Sequence, residues 1–317
     1  MPLDISIMIE GQEGLTWPRW ERLAATVEDG GLHGLYRSDH LTGLFGHPER
    51  ASLDTWASLD WLATATRRIR FGPLVCPLTF HHPAILAKHA HAVAERSAGR
   101  LDLGIGAGWH EGEHRMFGIP FPPLKERLDR LECGARAIVA LRSGTPVTLE
   151  QPYYPLIDAQ TSPRPATPPR LIIGGRGAKR TLRIVAAFAD EWNVTRVTVA
   201  EYAERRRGLE VHGRAVGRDV SRLPSSLMLP FITGENDRDI GRRLATATAL
   251  FPRIPTDEAG WRAAGFLFGR PDRIVEDLRE WERAGVSRVM LQLFDMDDVD
   301  AIGLMAREVA PRFRARS

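Results

Sequence analysis

Leu101-Asp-Leu-Gly-Ile-Gly-Ala-Gly-Trp-His110 and Leu171-Ile-Ile-Gly-Gly-Arg-Gly177 are short apolar runs that stop at glycines and open into a loop or helix. Runs of this kind mark strands buried on both faces, as in parallel sheets, and bare glycines at their carboxyl ends let another group approach the backbone closely. A third run, Leu35-Tyr-Arg-Ser-Asp-His40, ends in an acid and an imidazole. Chemistry-bearing residues at several strand ends predict a barrel with its site at one mouth.

Outward from these segments, apolar runs alternate with helical patterns along the chain. Strands are expected at 5–10, 34–39, 69–76, 101–107, 171–175, 190–194, 226–233 and 288–294, and helices at 17–29, 52–66, 83–97, 124–142, 177–188, 199–215, 271–284 and 297–313. Leu124, Leu128, Leu131, Ala135 and Ile138 form one helical stripe, as do Ile274, Leu278 and Trp281. Gly30, Gly99, Gly144 and Gly285 sit where left-handed helix caps belong. The pattern predicts an α/β fold, a single (β/α)8 TIM barrel over 1–317, with an insertion between strand 7 and helix 7. That insertion, 233–269, reads as helical over 237–250, then broken by Pro252 and Pro255, and its place at the mouth suggests a lid. The proline-rich 144–169 segment begins on the opposite face and reads as packing. Strand three, Phe71-Gly-Pro-Leu-Val-Cys-Pro77, carries two prolines, so it either bulges beneath a planar ligand or ends at Leu74.

Composition narrows the class. The 317 residues are 43% hydrophobic and 26% charged, ordinary for a globular enzyme. No apolar stretch approaches the roughly 20 residues that span a bilayer, and the start lacks a signal-peptide pattern, so a cytoplasmic protein with no membrane partner is expected. A net charge of +3 with scattered basic residues argues against nucleic-acid binding. Two cysteines, Cys76 and Cys133, form no disulfide framework and have no metal-ligand spacing. The three lysines, Lys88, Lys125 and Lys179, lie off the predicted strands, which argues against a strand-borne Schiff base.

Asp39 and His40 end strand two, where an imidazole can donate to a carbonyl or move a proton near neutral pH; a loop-stabilising pair is the plainer alternative. His81, His82 and His110 fall near the ends of strands three and four. Strand one, Ile5-Ser-Ile-Met-Ile-Glu10, lacks the His-x-His of metallohydrolase barrels, so no metal is expected. Gly174-Gly-Arg-Gly177, followed by Ala178-Lys-Arg-Thr181, puts amides and cations at a helix start, suiting either a phosphate or a tight strand–helix turn. Gly104-Ile-Gly-Ala-Gly108 is half a dinucleotide fingerprint, but Trp109 stands where the third glycine belongs.

Together these segments resemble the bacterial luciferase-like family of flavin and deazaflavin enzymes, from residue 3 to about 295. The resemblance rests on Ser38-Asp-His40, Gly72-Pro-Leu-Val-Cys-Pro77 with Thr79 to Pro83, Arg100 to Trp109, Glu113 to Leu124, Gly174-Gly175 and Ala189-Asp-Glu-Trp-Asn193. Two of these blocks are most similar to the subgroup associated with coenzyme F420, the 5-deazaflavin. The resemblance implies a cis peptide at Leu74–Val75 behind the ring, Asp39 on its polar edge, Gly108 beside it, and Gly174, Gly175 and Arg176 on its phosphate. It places His40 near the ring's reactive carbon, and His40 is the expected catalytic proton donor or acceptor, with Glu113 or His110 as assistants. The sugar-phosphate dehydrogenase branch has an acid at Trp109, an aromatic at Leu44 and an asparagine at Gly112. This implies a small organic substrate other than glucose 6-phosphate, in an apolar pocket bordered by Phe80 and Trp192. An F420-dependent oxidoreductase is the leading expectation. The alternatives are an FMN/FMNH2-dependent monooxygenase served by a separate reductase, and a non-catalytic flavin- or deazaflavin-binding protein. A homodimer through the faces of helices two and three is expected.

Overall fold

The computed structural model describes residues 2–45 and 47–314. Its strands are β1 (Asp4–Ile9), β2 (Gly34–Arg37), β3 (Arg70–Pro73), β4 (Cys76–Pro77), β5 (Asp102–Gly106), β6 (Val147–Leu149), β7 (Leu156–Ala159), β8 (Arg170–Gly174), β9 (Glu191–Thr195), β10 (Ser225–Thr233), β11 (Leu267–Gly269) and β12 (Arg288–Leu293). The α-helices are α1 (Trp17–Asp29), α2 (Thr55–Ala65), α3 (Pro83–Arg96), α4 (Glu111–Met116), α5 (Leu124–Leu141), α6 (Arg180–Phe188), α7 (Val199–Ala215), α8 (Asp237–Leu250), α9 (Glu258–Ala263), α10 (Pro271–Arg283) and α11 (Val299–Leu304). None is long and apolar enough to cross a membrane.

Parallel pairing runs β3-β2-β1-β12-β10-β9-β8-β5-β4, and a bridge from Phe71 to Leu101 joins the two ends. β3 and β4 are halves of one stave, so the ring closes as the eight-stranded barrel the sequence predicts. Between the Phe71–Leu101 and Cys76–Ile105 pairings this stave has one residue more than β5. That is the bulge, and it resolves the strand-three alternatives. The seam closes tightly: a Cβ on Gly72 would lie 2.0 Å from the Asp102 carbonyl oxygen, so only glycine fits.

Two cores sandwich the staves. Leucine, isoleucine and alanine fill the space between staves and helices, while Met8, Tyr36, Leu74, Ile172 and Met290 fill the barrel, with Val75 and Met228 against them. Below them lies a charged floor built from the first residues of several staves. Asp102 accepts the Tyr36 hydroxyl at 2.6 Å and guanidinium hydrogens of Arg70, Arg170 and Arg288. Arg288 also pairs with buried Glu191 at 3.2 Å. Packed groups therefore seal the amino-terminal end, and a ligand can enter only at the carboxyl-terminal mouth.

Several elements differ from expectation. The 144–169 segment forms a β6–β7 antiparallel hairpin, whose Tyr154 hydroxyl donates to the Leu78 carbonyl at 2.8 Å. In the insertion, β11 adds a parallel strand to β10, pairing Phe231 with Leu267; a run of three residues is too short to show a period. Phe251, Trp261, Phe268 and Phe294 give this region its own aromatic core, with Phe45 from the β2–α2 loop against it. The expected 297–313 helix is α only to Leu304. It then widens to a π turn and ends as a 3-10 turn around Pro311, which has no amide hydrogen for an α-helical bond. Gly30 is right-handed at φ −67°; the left-handed residue after α1 is Gly31, at φ 64°.

Candidate active site

The strand-end glycines meet a protein group. The peptide between Leu74 and Val75 is cis, where the family resemblance put it. Val75 lies against Gly106 and Gly174, which end β5 and β8, and against Gly104 within β5. A Cβ on Gly106 would sit 2.6 Å from its Cγ2, and one on Gly104 or Gly174 would sit 3.0 Å from its Cγ1. Side chains on Gly106 or Gly174 would drive Val75 out of the barrel end, while at Gly104 the Pro73 carbonyl oxygen, 2.2 Å from an added Cβ, excludes one first. The glycines of both decisive sequence segments thus form one socket, and the half-buried Val75 within it is the platform of the mouth.

Beside the platform stands a dyad. His40 follows β2, and its Nδ1 lies 2.9 Å from Oε2 of Glu113 on α4. The other Glu113 oxygen accepts the Leu41 amide, and the carboxylate has no solvent exposure. Burial acts against charge on His40, but the hydrogen bond and negative charge of Glu113 outweigh it and raise the imidazole pKa. With Nδ1 occupied, Nε2 is the nitrogen left for a ligand. The Nδ1 of His110 accepts the Glu113 amide at 3.0 Å, capping α4. That nitrogen must be unprotonated to accept, and burial, the largest influence, holds His110 below its ordinary range. His110 thereby positions Glu113, which in turn supports His40.

Asp39 is buried one residue earlier, 2.7 Å from His81 Nε2. Burial would raise its pKa, but His81 and the Cys76 thiol donate to it and keep it below the ordinary carboxylate range. The ligand atoms of Asp39, Cys76 and His81 lie within 4.8 Å of one another, a grouping invisible in the linear spacing. Burial, with Asp39 beside it, pushes the Cys76 thiol well up, so the sulfur keeps its proton and serves as a hydrogen-bond donor. Gly108, φ 73°, completes this rim; its carbonyl accepts from Arg127, which stacks over Phe121 at 4.2 Å. Sequence reading missed Arg127, since no local pattern links it to a glycine 19 residues away.

Across the socket the chain leaves β8 through Gly174, Gly175 and Arg176. The Gly175 amide donates to the Asn193 carbonyl at 3.0 Å, and its carbonyl accepts Trp192 Nε1 at 2.9 Å. Its role is therefore to shape the turn at φ 148°. Arg176, Gly177 and Ala178 are exposed residues just before α6, and their amides donate to nothing among the described residues. Trp192 does not border a pocket: it is fully buried and stacks on Tyr202 at 5.7 Å, because its position on β9 faces the helices. Phe80 packs on His114 at 4.5 Å.

Residues 2–288 match the family model described as luciferase-like monooxygenase. An F420-dependent glucose-6-phosphate dehydrogenase of Beutenbergia cavernae is 34% identical, over 93% of this chain and 93% of that protein. Among solved structures, an F420-dependent secondary alcohol dehydrogenase in complex with an F420-acetone adduct superposes with a TM-score of 0.81 at 18% identity, covering 99% of this chain and all of that one. The monooxygenase RslO1 from Streptomyces bottropensis gives a TM-score of 0.82 at 17% identity, covering 98% of this chain and all of that one.

Proposed function

Since the chain belongs to the luciferase-like monooxygenase family, we propose that it is an F420-dependent oxidoreductase acting on a small organic alcohol or carbonyl compound. The observation that carries the reading is a buried carboxylate–imidazole dyad, His40 and Glu113, at the rim of the Val75 platform. The residues present fit the cofactor. Leu74 and Val75 offer a flat apolar support, Asp39 and the Gly108 turn a polar edge, and Arg176 with the amides of 176–178 a cradle for an anion. Gly174 and Gly175 shape that cradle. When bound, F420 supplies or takes a hydride at its ring carbon C5.

His40 holds and moves the accompanying proton at Nε2. It gives the proton to the substrate oxygen as a carbonyl is reduced, and takes it back as an alcohol is oxidised. Glu113 stabilises the charged ring and fixes its orientation, and His110 holds Glu113 in place. The same reading has the enzyme in the cytoplasm as a homodimer, with a separate reductase renewing the cofactor; light scattering checks the dimer. The test of function is anaerobic. Reduced F420 should be oxidised when a carbonyl substrate is added to the protein without oxygen. Turnover that requires oxygen and reduced FMN would instead make the protein a flavin monooxygenase.

A further inference from the structure

Among the described residues, Asp39, Cys76 and His81 are the only three metal-ligating side chains whose donor atoms lie within 4.8 Å of one another. Separate segments bring them together, which is why neither strand one nor the spacing of the cysteines announces a metal. Asp39 follows β2, Cys76 lies on β4, and His81 sits in the loop before α3. Backbone bonds fix each segment. The Ser38 amide donates to the Ile9 carbonyl at 3.0 Å, β4 pairs Cys76 with Ile105, and the Phe80 amide closes a turn on the Pro77 carbonyl at 3.0 Å.

The chemistry of the set is selective. A carboxylate, a thiolate and a neutral imidazole carry two negative charges, which a divalent cation cancels. The loaded site is then neutral in a place where net charge is costly. Sulfur and nitrogen donors favour zinc over the hard cations magnesium and calcium. Apart from Thr55, the groups that donate to Asp39 are its two neighbours in the cluster, so a cation replaces hydrogen bonds made within the set. Arg37 and Asp54 act on the thiol with opposite signs. The Arg37 guanidinium is itself engaged, with the Leu53 carbonyl at 2.8 Å and the Ser58 hydroxyl at 2.7 Å. His81 is the entrance: its side chain is 26% exposed, whereas Asp39 and Cys76 are buried.

We infer that Asp39, Cys76 and His81 form a three-ligand site for zinc or a similarly soft divalent cation, with the fourth position open on the His81 side. On binding, the Cys76 thiol proton is released to solvent. His81 turns Nε2 to the metal as a neutral imidazole with its hydrogen on Nδ1, and one Asp39 oxygen completes the protein ligands. Asp39 is also the residue assigned above to the polar edge of F420, so cation and cofactor exclude one another. That exclusion rests on the oxidoreductase reading; the metal site does not.

The experiment titrates the full chain, freed of metal by a chelator, with cobalt(II) and then displaces the cobalt with zinc. Expected are one cobalt per chain, a near-ultraviolet sulfur-to-cobalt charge-transfer band, loss of that band on adding zinc, and a melting temperature that climbs with zinc concentration. Cys76→Ser keeps a hydroxyl to donate to Asp39 and should abolish the band. His81→Ala, on the exposed side, should weaken zinc at least about 10-fold, the least that losing even an outer partner does to a metal site. Cys133→Ser should change neither. Saturating zinc should raise the Kd of F420, and saturating F420 that of zinc, by the same factor. Absence of binding, cobalt bound without the band, or a band that survives Cys76→Ser overturns the site. Zinc held by the cluster with F420 affinity unchanged overturns the exclusion. Failure of F420 to bind even the metal-free protein sinks the cofactor reading instead, and the cobalt band still decides the metal site.

Discussion

Gly106→Ala isolates the socket. The added Cβ would lie 2.6 Å from Val75 Cγ2, and among the described residues no group other than Val75 comes within 4 Å of it beyond the immediate chain neighbours. The two carbons must part by about 0.8 Å before ordinary contact is restored, an overpacking that costs about 1–3 kcal/mol. For a chain of this size that lowers the melting temperature by roughly 2–6 °C. Because Val75 alone is struck, Val75→Ala should relieve the clash. Alone it should cost about 1 kcal/mol for its partly buried methyls. In the double variant Gly106→Ala should then add almost nothing, a coupling of at least about 1 kcal/mol. Urea denaturation of the four proteins gives the cycle, and F420 titration of each reports whether displacing Val75 also weakens binding. Additive losses, with the double variant as unstable as the two singles summed, would refute the socket.

Other predictions follow from the dyad, the floor and the thiol. His40→Ala should cut turnover far more than F420 affinity; equal, modest losses in both would make the histidine merely structural. Carbonyl reduction needs protonated His40, so its rate should fall as pH rises through the raised imidazole pKa, and Glu113→Gln should move that fall to lower pH. Asp102→Asn strips buried arginines of their counter-charge and should cost about 3–5 kcal/mol in chemical denaturation. The pairing of Asp102 with Arg288, Arg170 and Arg70 lowers its pKa despite burial, so its contribution is present above the ordinary carboxylate range and fades as pH falls below about 4. The acid slope of stability should therefore be shallower in Asp102→Asn. Cys76, with its thiol pKa raised by burial, should resist iodoacetamide at pH 8 until denaturant is added, as mass spectrometry can follow.

The barrel was legible because its signals are local. Each stave is an apolar run, α5 and α10 carry clear stripes, and the double proline of 71–77 signals either a bulge or an early strand end, of which the fold shows the bulge. The dyad was half legible: both residues were candidates, but His40 and Glu113 are 73 positions apart and no local pattern pairs them. What linear reading could not supply were contacts between strand ends. Gly104, Gly106 and Gly174 looked like surfaces for a ligand, yet Val75 occupies them. The cap that His110 gives α4 left no mark in the linear pattern, and Trp192 looked like a pocket wall but packs in the core. The network of Asp102 with three arginines joins residues from four staves, none within 30 positions of Asp102.

Direct binding decides between the cofactors. Purified protein is titrated with F420 and, separately, with FMN, following cofactor fluorescence and melting temperature together. F420 should bind at one per chain, raise the melting temperature with concentration and outcompete FMN, and replacing Arg176 with alanine should weaken it. Tighter binding of FMN, or no saturable binding of F420, would contradict a deazaflavin seated on Val75.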